Sequence, residues 1–162
     1  MEIAGRARKI KLLLMDCDGV LTDGRLYFGA RGEELKVFHV RDGQGIVMWH
    51  EAGFRSGIIS GRDSPTVNLR ANQLGIEFVR QGVTDKAATL RDVMASAGVT
   101  ADHVAFIGDD IPDIDAMQIA GFAVAVADAV SEVKAAAHHV TELNGGRGAV
   151  REAIDLILAA KG

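Results

Sequence analysis

Lys11-Leu12-Leu13-Leu14-Met15-Asp16-Cys17-Asp18-Gly19-Val20-Leu21-Thr22-Asp23 is an apolar run that stops abruptly at a carboxylate. A second carboxylate follows two positions later, then a glycine and a threonine. A short continuous apolar run bounded by turn-forming residues reads as a buried strand, so Lys11–Met15 is predicted as the first strand. Four more runs repeat the pattern: Arg55–Ile59 ending at Ser60-Gly61, Ile76–Val79, His103–Ile107 ending at Gly108-Asp109, and Phe122–Val126. Continuous apolar strands belong to a sheet covered on both faces.

Between the strands lie stretches of helical period: Gly43–Ala52, Pro65–Leu74, Asp85–Ala97, Pro112–Ala120, Ser131–Ala137 and Arg147–Ala160. Pro65 and Pro112 fall where a first turn tolerates proline. Gly53, Gly75, Gly98 and Gly121 follow the helix ends, as C-terminal capping glycines do. The alternation predicts an α/β fold, a doubly wound, mostly parallel sheet. One segment departs from it. Arg25–Phe28 and Leu35–Val40 flank the turn Gly29-Ala30-Arg31-Gly32, which predicts a β-hairpin inserted at about 25–40. That insert is too small for a cap domain, and no composition shift divides the chain, so 1–162 is expected to be one domain.

Composition narrows the function. The chain has 162 residues, 48% hydrophobic and 25% charged, with 18 basic against 22 acidic side chains and a net charge of −4. That balance offers no footing for nucleic acid. No apolar run approaches the roughly 20 residues that span a bilayer, and Leu12–Met15 is shorter than a signal-peptide core of about 7–15. A cytoplasmic protein without a membrane partner is expected. The single cysteine, Cys17, excludes an internal disulfide and zinc-finger spacing.

In doubly wound folds ligands bind beyond the carboxyl ends of the strands. Asp16, Asp18, Ser60, Gly61, Arg62, Asp109, Asp110 and Asp113 all fall at such ends, and Lys86 opens the helix after the third strand. Helix capping accounts for one strand-end Asp, but not for several converging on one edge. Gathered carboxylates repel unless a cation joins them, and oxygen ligands suit Mg²⁺. A carboxylate can attack phosphorus to form an aspartyl-phosphate. A second can protonate the leaving alkoxide and then activate water. Two-residue spacing in an extended segment turns Asp16 and Asp18 the same way, with Cys17 opposite. Mg²⁺ and Lys86 would offset phosphoryl charge, and Ser60 would donate a hydrogen bond.

Asp-x-Asp-Gly-x-x-Thr-Asp, a strand-end Ser, a helix-start Lys and Gly-Asp-Asp-x-x-Asp, in this order, resemble the haloacid dehalogenase superfamily of phosphatases. The resemblance implies Asp16 as nucleophile and Asp18 as general acid/base. It also implies Mg²⁺ held by Asp16, the Asp18 backbone carbonyl and Asp109, with Asp110 and Asp113 in support and phosphate held by Ser60 and Lys86. Gly32-Glu33-Glu34-x-Lys36-x-Phe38, Val40-Arg41-Asp42-Gly43-x-Gly45-Ile46, Gln81-Gly82-Val83-x-Asp85-Lys86, Val124–Ala129 and Gly145–Glu152 are similar to one subfamily, the capless 3-deoxy-D-manno-octulosonate 8-phosphate phosphatases of lipopolysaccharide sugar synthesis. That resemblance runs from about Lys11 to Gly162. It implies a small phosphorylated sugar acid as substrate and a homotetramer whose hairpins pack together, with a neighbour's C-terminal segment closing each site. A sister group acts on nine-carbon sugar acid 9-phosphates and tends to carry an acid where Arg62 stands. Arg62 and Arg70 are candidates for the substrate carboxylate or sugar, since a guanidinium fork suits carboxylates; a solvated helix position is the alternative for Arg70. Ser60 replaces the family's usual Thr, Cys17 an aliphatic residue and Arg80 a common aromatic.

Other readings fit less well. A thiol phosphatase needs arginine six positions after its cysteine, and Asp23 stands there. A signalling receiver domain places its acidic pair before its acceptor Asp, the reverse of the order here. No Gly-x-Gly-x-x-Gly follows the first strand, and Gly145-Gly146-x-Gly148 reads as a loop that must approach a neighbour or ligand closely. His138 and His139 would point to opposite faces of a strand and share no metal. Trp49 is expected in the core or an interface, while His39 and Arg41 remain open between interface and substrate. A non-catalytic phosphosugar-binding module is the remaining class, and intact Asp16, Asp18, Lys86 and Asp109 weigh against it.

Overall fold

The computed structural model describes residues 2–162 and, at Glu34, the backbone only; the first residue of the predicted domain thus lies outside the described residues. The five expected strands are present as β1 (Leu12–Met15), β4 (Arg55–Ile59), β5 (Phe78–Arg80), β6 (Val104–Gly108) and β7 (Phe122–Ala125). With β8 (His139–Val140) they form one parallel sheet in the order β5-β4-β1-β6-β7-β8. Every residue of β1, β6 and β7 is buried, as strands covered on both faces require.

Helices α2 (Val40–Glu51) and α3 (Pro65–Leu74) carry the chain outward from β1 to β5, whereas α4 (Lys86–Ala97), α5 (Ile114–Ile119) and α6 (Ser131–Ala136) carry it the other way. Right-handed crossovers place these two sets on opposite faces of the sheet. Helix α7 (Ala149–Lys161) buries Ala149, Val150, Ala153, Ile154 and Ile157, one stripe at helical spacing, and packs against α2. Trp49 is fully buried, stacked on Phe54 at 4.5 Å, and its indole N–H donates to the Arg55 carbonyl at 2.7 Å.

Several expectations are corrected. The hairpin is shorter and earlier than its pattern implies. Strand β2 (Tyr27–Gly29) pairs with β3 (Gly32–Leu35) around the two-residue loop Ala30-Arg31, with a bulge at Tyr27/Phe28. Residues 36–39 are not strand. His39 ends them by capping α2, its Nδ1 accepting from the Arg41 N–H at 3.1 Å, so the helix starts three residues before Gly43. Gly75 and Gly98 do cap α3 and α4 in the left-handed region. Gly121 does not: a Cβ there would press on the Asp102 backbone at 2.6 Å, so close approach, not a positive φ, requires it. A helix that the sequence did not announce, α1 (Ile3–Lys9), buries only Ala7. It is held from outside by Arg6 to the Gly121 carbonyl at 2.7 Å and Lys161 to the Arg8 carbonyl at 2.9 Å.

Candidate active site

The strand order reverses between β1 and β6, and a crevice opens beyond their carboxyl ends. Asp16 follows β1 and Asp109 follows β6, so the topology alone brings these two carboxylates together. The segment after Asp16 is not extended. The Cys17 carbonyl accepts from the N–H groups of Val20, Leu21 and Thr22 at 2.9–3.2 Å, which coils the chain into a tight loop. Thr22 Oγ1 accepts from Gly19 N and Gly24 N at 3.3 and 3.2 Å, and this is the physical use of the threonine in the motif. Gly19 sits at φ +86°, and a Cβ there would overlap the Asp109 carboxylate. Gly145 and Gly146 press on the same loop from behind, where a Cβ on either would collide with backbone between Gly19 and Asp23. The close approach that the glycine-rich loop requires is made to this chain's own backbone.

Asp16, Asp109 and Asp113 each offer an oxygen, all within 4.8 Å of one another. Lys86, the first residue of α4, reaches in with Nζ 2.7 Å from Asp113 Oδ1 and 3.2 Å from Asp16 Oδ1. Asp113 is fully buried, and its other oxygen accepts from Asp109 N at 2.9 Å and Asp110 N at 3.3 Å. Its bonds are thus filled by Lys86 and the strand-end backbone. Asp109 Oδ1 is buried without a hydrogen-bond partner. Burial, then the charges of Asp16 and Asp113, push the Asp109 carboxyl up to about 9. Burial, then the Asp113 charge, push Asp16 up to about 7 against the pull of Lys86. Burial opposes the Lys86 ammonium, but Asp16 and Asp113 outweigh it and raise its pKa. Crowded carboxylates with an orphaned oxygen fit a hard divalent cation, whose charge would relieve that repulsion.

Asp18 is turned elsewhere. Its carboxylate meets Lys36 at 2.7 Å and Arg62 at 3.6 Å. The coiled loop, rather than an extended segment, separates the two directions. Asp110 lies at the rim and caps the turn Ile111–Asp113, accepting from Ile111 N at 2.8 Å. Asp16, Asp18, Ser60, Arg62, Lys86 and Asp109 line a cleft of about 500 Å³. Gly61 borders it without steric need for glycine, since a Cβ would meet only the Val83 carbonyl at 3.6 Å. The structure does not bring Arg70 into this cleft. Its guanidinium lies over Phe38, 5.7 Å from the ring centre, and against Gly43. Arg80 lies over the Phe78 ring, also outside. Sequence reasoning placed Asp113 only in support and gave Lys36 no role; the Gly-Asp-Asp-x-x-Asp spacing carried a signal for the first, and nothing local links Lys36 to Asp18.

A family model for haloacid dehalogenase-like hydrolases matches residues 48–154. The 3-deoxy-D-manno-octulosonate 8-phosphate phosphatase of Haemophilus influenzae is 46% identical over 97% of this chain and 87% of its own. The chain belongs to this phosphatase family of haloacid dehalogenase-like hydrolases. The crystal structure of the Yersinia pestis phosphatase superposes with a TM-score of 0.96 at 45% identity, over 98% of this chain and 86% of that one. The Moraxella catarrhalis phosphatase, in complex with magnesium, phosphate and KDO, gives a TM-score of 0.96 at 40% identity, over 98% and 91%. Like the mostly parallel sheet and hairpin described above, the absence of any cap among the described residues fits a capless member of the family.

Proposed function

We propose that the protein releases phosphate from 3-deoxy-D-manno-octulosonate 8-phosphate, with residues 1–162 acting as one Mg²⁺-dependent phosphatase domain. The observation that carries this is the Asp16–Lys86–Asp113–Asp109 constellation, of which Asp16, Lys86 and Asp109 line one cleft, in a chain so similar to phosphatases of that specificity. Asp16 and Asp109, with the Asp18 backbone carbonyl, would hold the ion, because Asp113 is already committed to Lys86. When bound, Mg²⁺ neutralises charge on the phosphoryl oxygens.

The chain's own groups supply the rest. The Asp16 carboxylate attacks phosphorus, the bond to the sugar oxygen breaks, and an aspartyl-phosphate remains. Lys86 Nζ, beside Asp16, faces the transferring charge, and the buried Ser60 hydroxyl donates to a phosphoryl oxygen. Asp18 gives its proton to the departing alkoxide. It then takes one from water, which attacks the acyl phosphate and frees Asp16. Arg62 lines the cleft and would meet the sugar acid, and an arginine at this position resembles the eight-carbon enzymes, where the nine-carbon sister group tends to carry an acid.

The test is Mg²⁺-dependent phosphate release from the eight-carbon 8-phosphate, the nine-carbon 9-phosphate and a simple phosphate ester. A hundredfold preference for the first is about 2.7 kcal/mol of transition-state discrimination. Equal or reversed rates would move the chain to the sister specificity or to a broad phosphatase. Binding without any turnover would leave only a binding module.

The assembly we propose is a homotetramer built through the hairpin. Phe28, Leu35, Val37 and Val40 are exposed on or just after it, with Val40 77% accessible, an apolar surface that a second copy would cover. Light scattering at micromolar concentration should give the tetramer, and a monomer would refute it. The proposed compartment is the cytoplasm, supported by the phosphorylated substrate class; no helix among the described residues is long and apolar enough to cross a membrane.

A further inference from the structure

Lys36 directly follows β3, yet its side chain is only 3% exposed. Its Nζ donates to Asp18 Oδ1 at 2.7 Å and lies 3.3 Å from Glu33 Oε2. The other oxygen of Glu33 accepts from Ser64 Oγ at 2.6 Å, and Ser64 stands at the start of α3. Arg62 closes the ring, with Nε 3.6 Å from Asp18 Oδ2 and a terminal nitrogen 3.5 Å from Glu33 Oε2. Four side chains thus tie the hairpin and the β4–α3 loop to one carboxylate.

A buried ammonium is retained only where it is paired and hydrogen-bonded. The hairpin forms its own two-stranded sheet, apart from the six-stranded one, so the main core has no need of Lys36. What Lys36 does fix is Asp18. Its hydrogen bond occupies Oδ1 and leaves Oδ2, on the cleft wall, with only the longer 3.6 Å contact to Arg62.

We infer that Lys36 is a positioning residue that aims Asp18 Oδ2 at the leaving-group oxygen, with Glu33 holding Lys36 and Arg62 in register. This rests on Asp18 being the acid/base. As the phosphorus–oxygen bond breaks, its electron pair stays on the sugar oxygen and the proton on Oδ2 moves there, so the sugar leaves as a neutral alcohol. An alkyl alkoxide needs that proton. A nitrophenolate, the anion of a far stronger acid, leaves without it.

The experiment compares kcat/KM for 3-deoxy-D-manno-octulosonate 8-phosphate with that for p-nitrophenyl phosphate, the latter read from nitrophenol released in the first turnover. Lys36→Met should lower the sugar phosphate value about 10- to 100-fold, a share of the 10²–10⁴ that acid–base catalysis supplies, and change the nitrophenyl value less than about threefold. Retained nitrophenyl activity doubles as proof of folding. Lys36→Arg should restore most of the loss, and Lys36→Met added to Asp18→Asn should cost little more. Asp18→Asn is the reference and should show the same selectivity on a larger scale. Equal loss on both substrates for Asp18→Asn refutes its acid/base role. Selective loss for Asp18→Asn, with equal loss or none for Lys36→Met, refutes the role of Lys36 alone. Should Lys36→Met not fold, Glu33→Gln carries the test: a weaker loss confined to the sugar phosphate supports the inference, and an equal loss on both overturns it.

Discussion

Each carboxylate of Asp16-Cys17-Asp18 has its own buried lysine, and the two lysines come from opposite kinds of structure. Lys86 opens a twelve-residue helix packed on the sheet and lies between Asp16 and Asp113. Lys36 follows a short hairpin outside that sheet and lies between Asp18 and Glu33. The electrostatics are alike: burial works against each ammonium, and two carboxylates overcome it. The scaffolds are not. With Asp16 as the nucleophile and Asp18 as the acid/base, as proposed, the phosphorus side stands on strand ends of the main sheet and the leaving-group side on a separate two-stranded one.

The sharpest break of this comparison is Asp16→Asn. It should reduce phosphate release about 10⁴-fold or more on every substrate, the scale on which loss of a nucleophile acts. A folded variant, by circular dichroism, that keeps turnover would put the nucleophile elsewhere. Lys86→Met comes next, and unlike Lys36→Met it should not distinguish leaving groups. Sugar and nitrophenyl phosphates should both slow about 10²- to 10³-fold, as when one charge-stabilising donor is removed.

A third test needs no activity. In the metal-free protein the folded state keeps protons on Asp109 and Asp16 that the unfolded chain has already released above the ordinary carboxylate range. Its stability therefore falls as pH rises toward about 9. Mg²⁺ held there would stand in for those protons, so the stability it adds at a fixed concentration should grow between about pH 6 and pH 9, read as a rising gain in Tm and reaching about 2.7 kcal/mol where that concentration is a hundred times Kd. A gain independent of pH would mean the ion binds away from these carboxylates. The smallest effect belongs to Arg70→Met. Loss of the contact with Phe38 should cost about 0.5–1 kcal/mol in a denaturant melt and leave kcat/KM unchanged. A large rise in KM would instead bring Arg70 into the substrate site.

The Lys86 side of this comparison was legible in the sequence and the Lys36 side was not, for a physical reason. Asp16, Lys86 and Asp109 sit where a strand stops or a helix starts, and both events leave marks in apolar periodicity. The parallel sheet was readable from the same marks, as was the helix Pro65–Leu74 with its cap at Gly75. Lys36 meets Asp18 through a hairpin whose register depends on a bulge at Tyr27/Phe28, and alternation in Leu35–Val40 imitated a strand where His39 starts a helix. Helix α1 leaves no periodic mark in the sequence because one buried alanine makes no stripe. Asp113 was visible as a motif member, but only the fold shows that it serves Lys86 from full burial.

The contact of Gly145 and Gly146 with Gly19–Asp23 also bears on how the protein is made. Gly146 N donates to the Val20 carbonyl at 2.9 Å, so the loop after Asp16 rests on a stretch that comes far later in the chain. During synthesis, Asp16 emerges well before Gly145 and Gly146 and, at about 5–20 residues per second, waits on the order of ten seconds for its support. A nascent chain that has not reached Gly145 thus displays the motif without the floor beneath it, and the site gains its support only once that later stretch has been made.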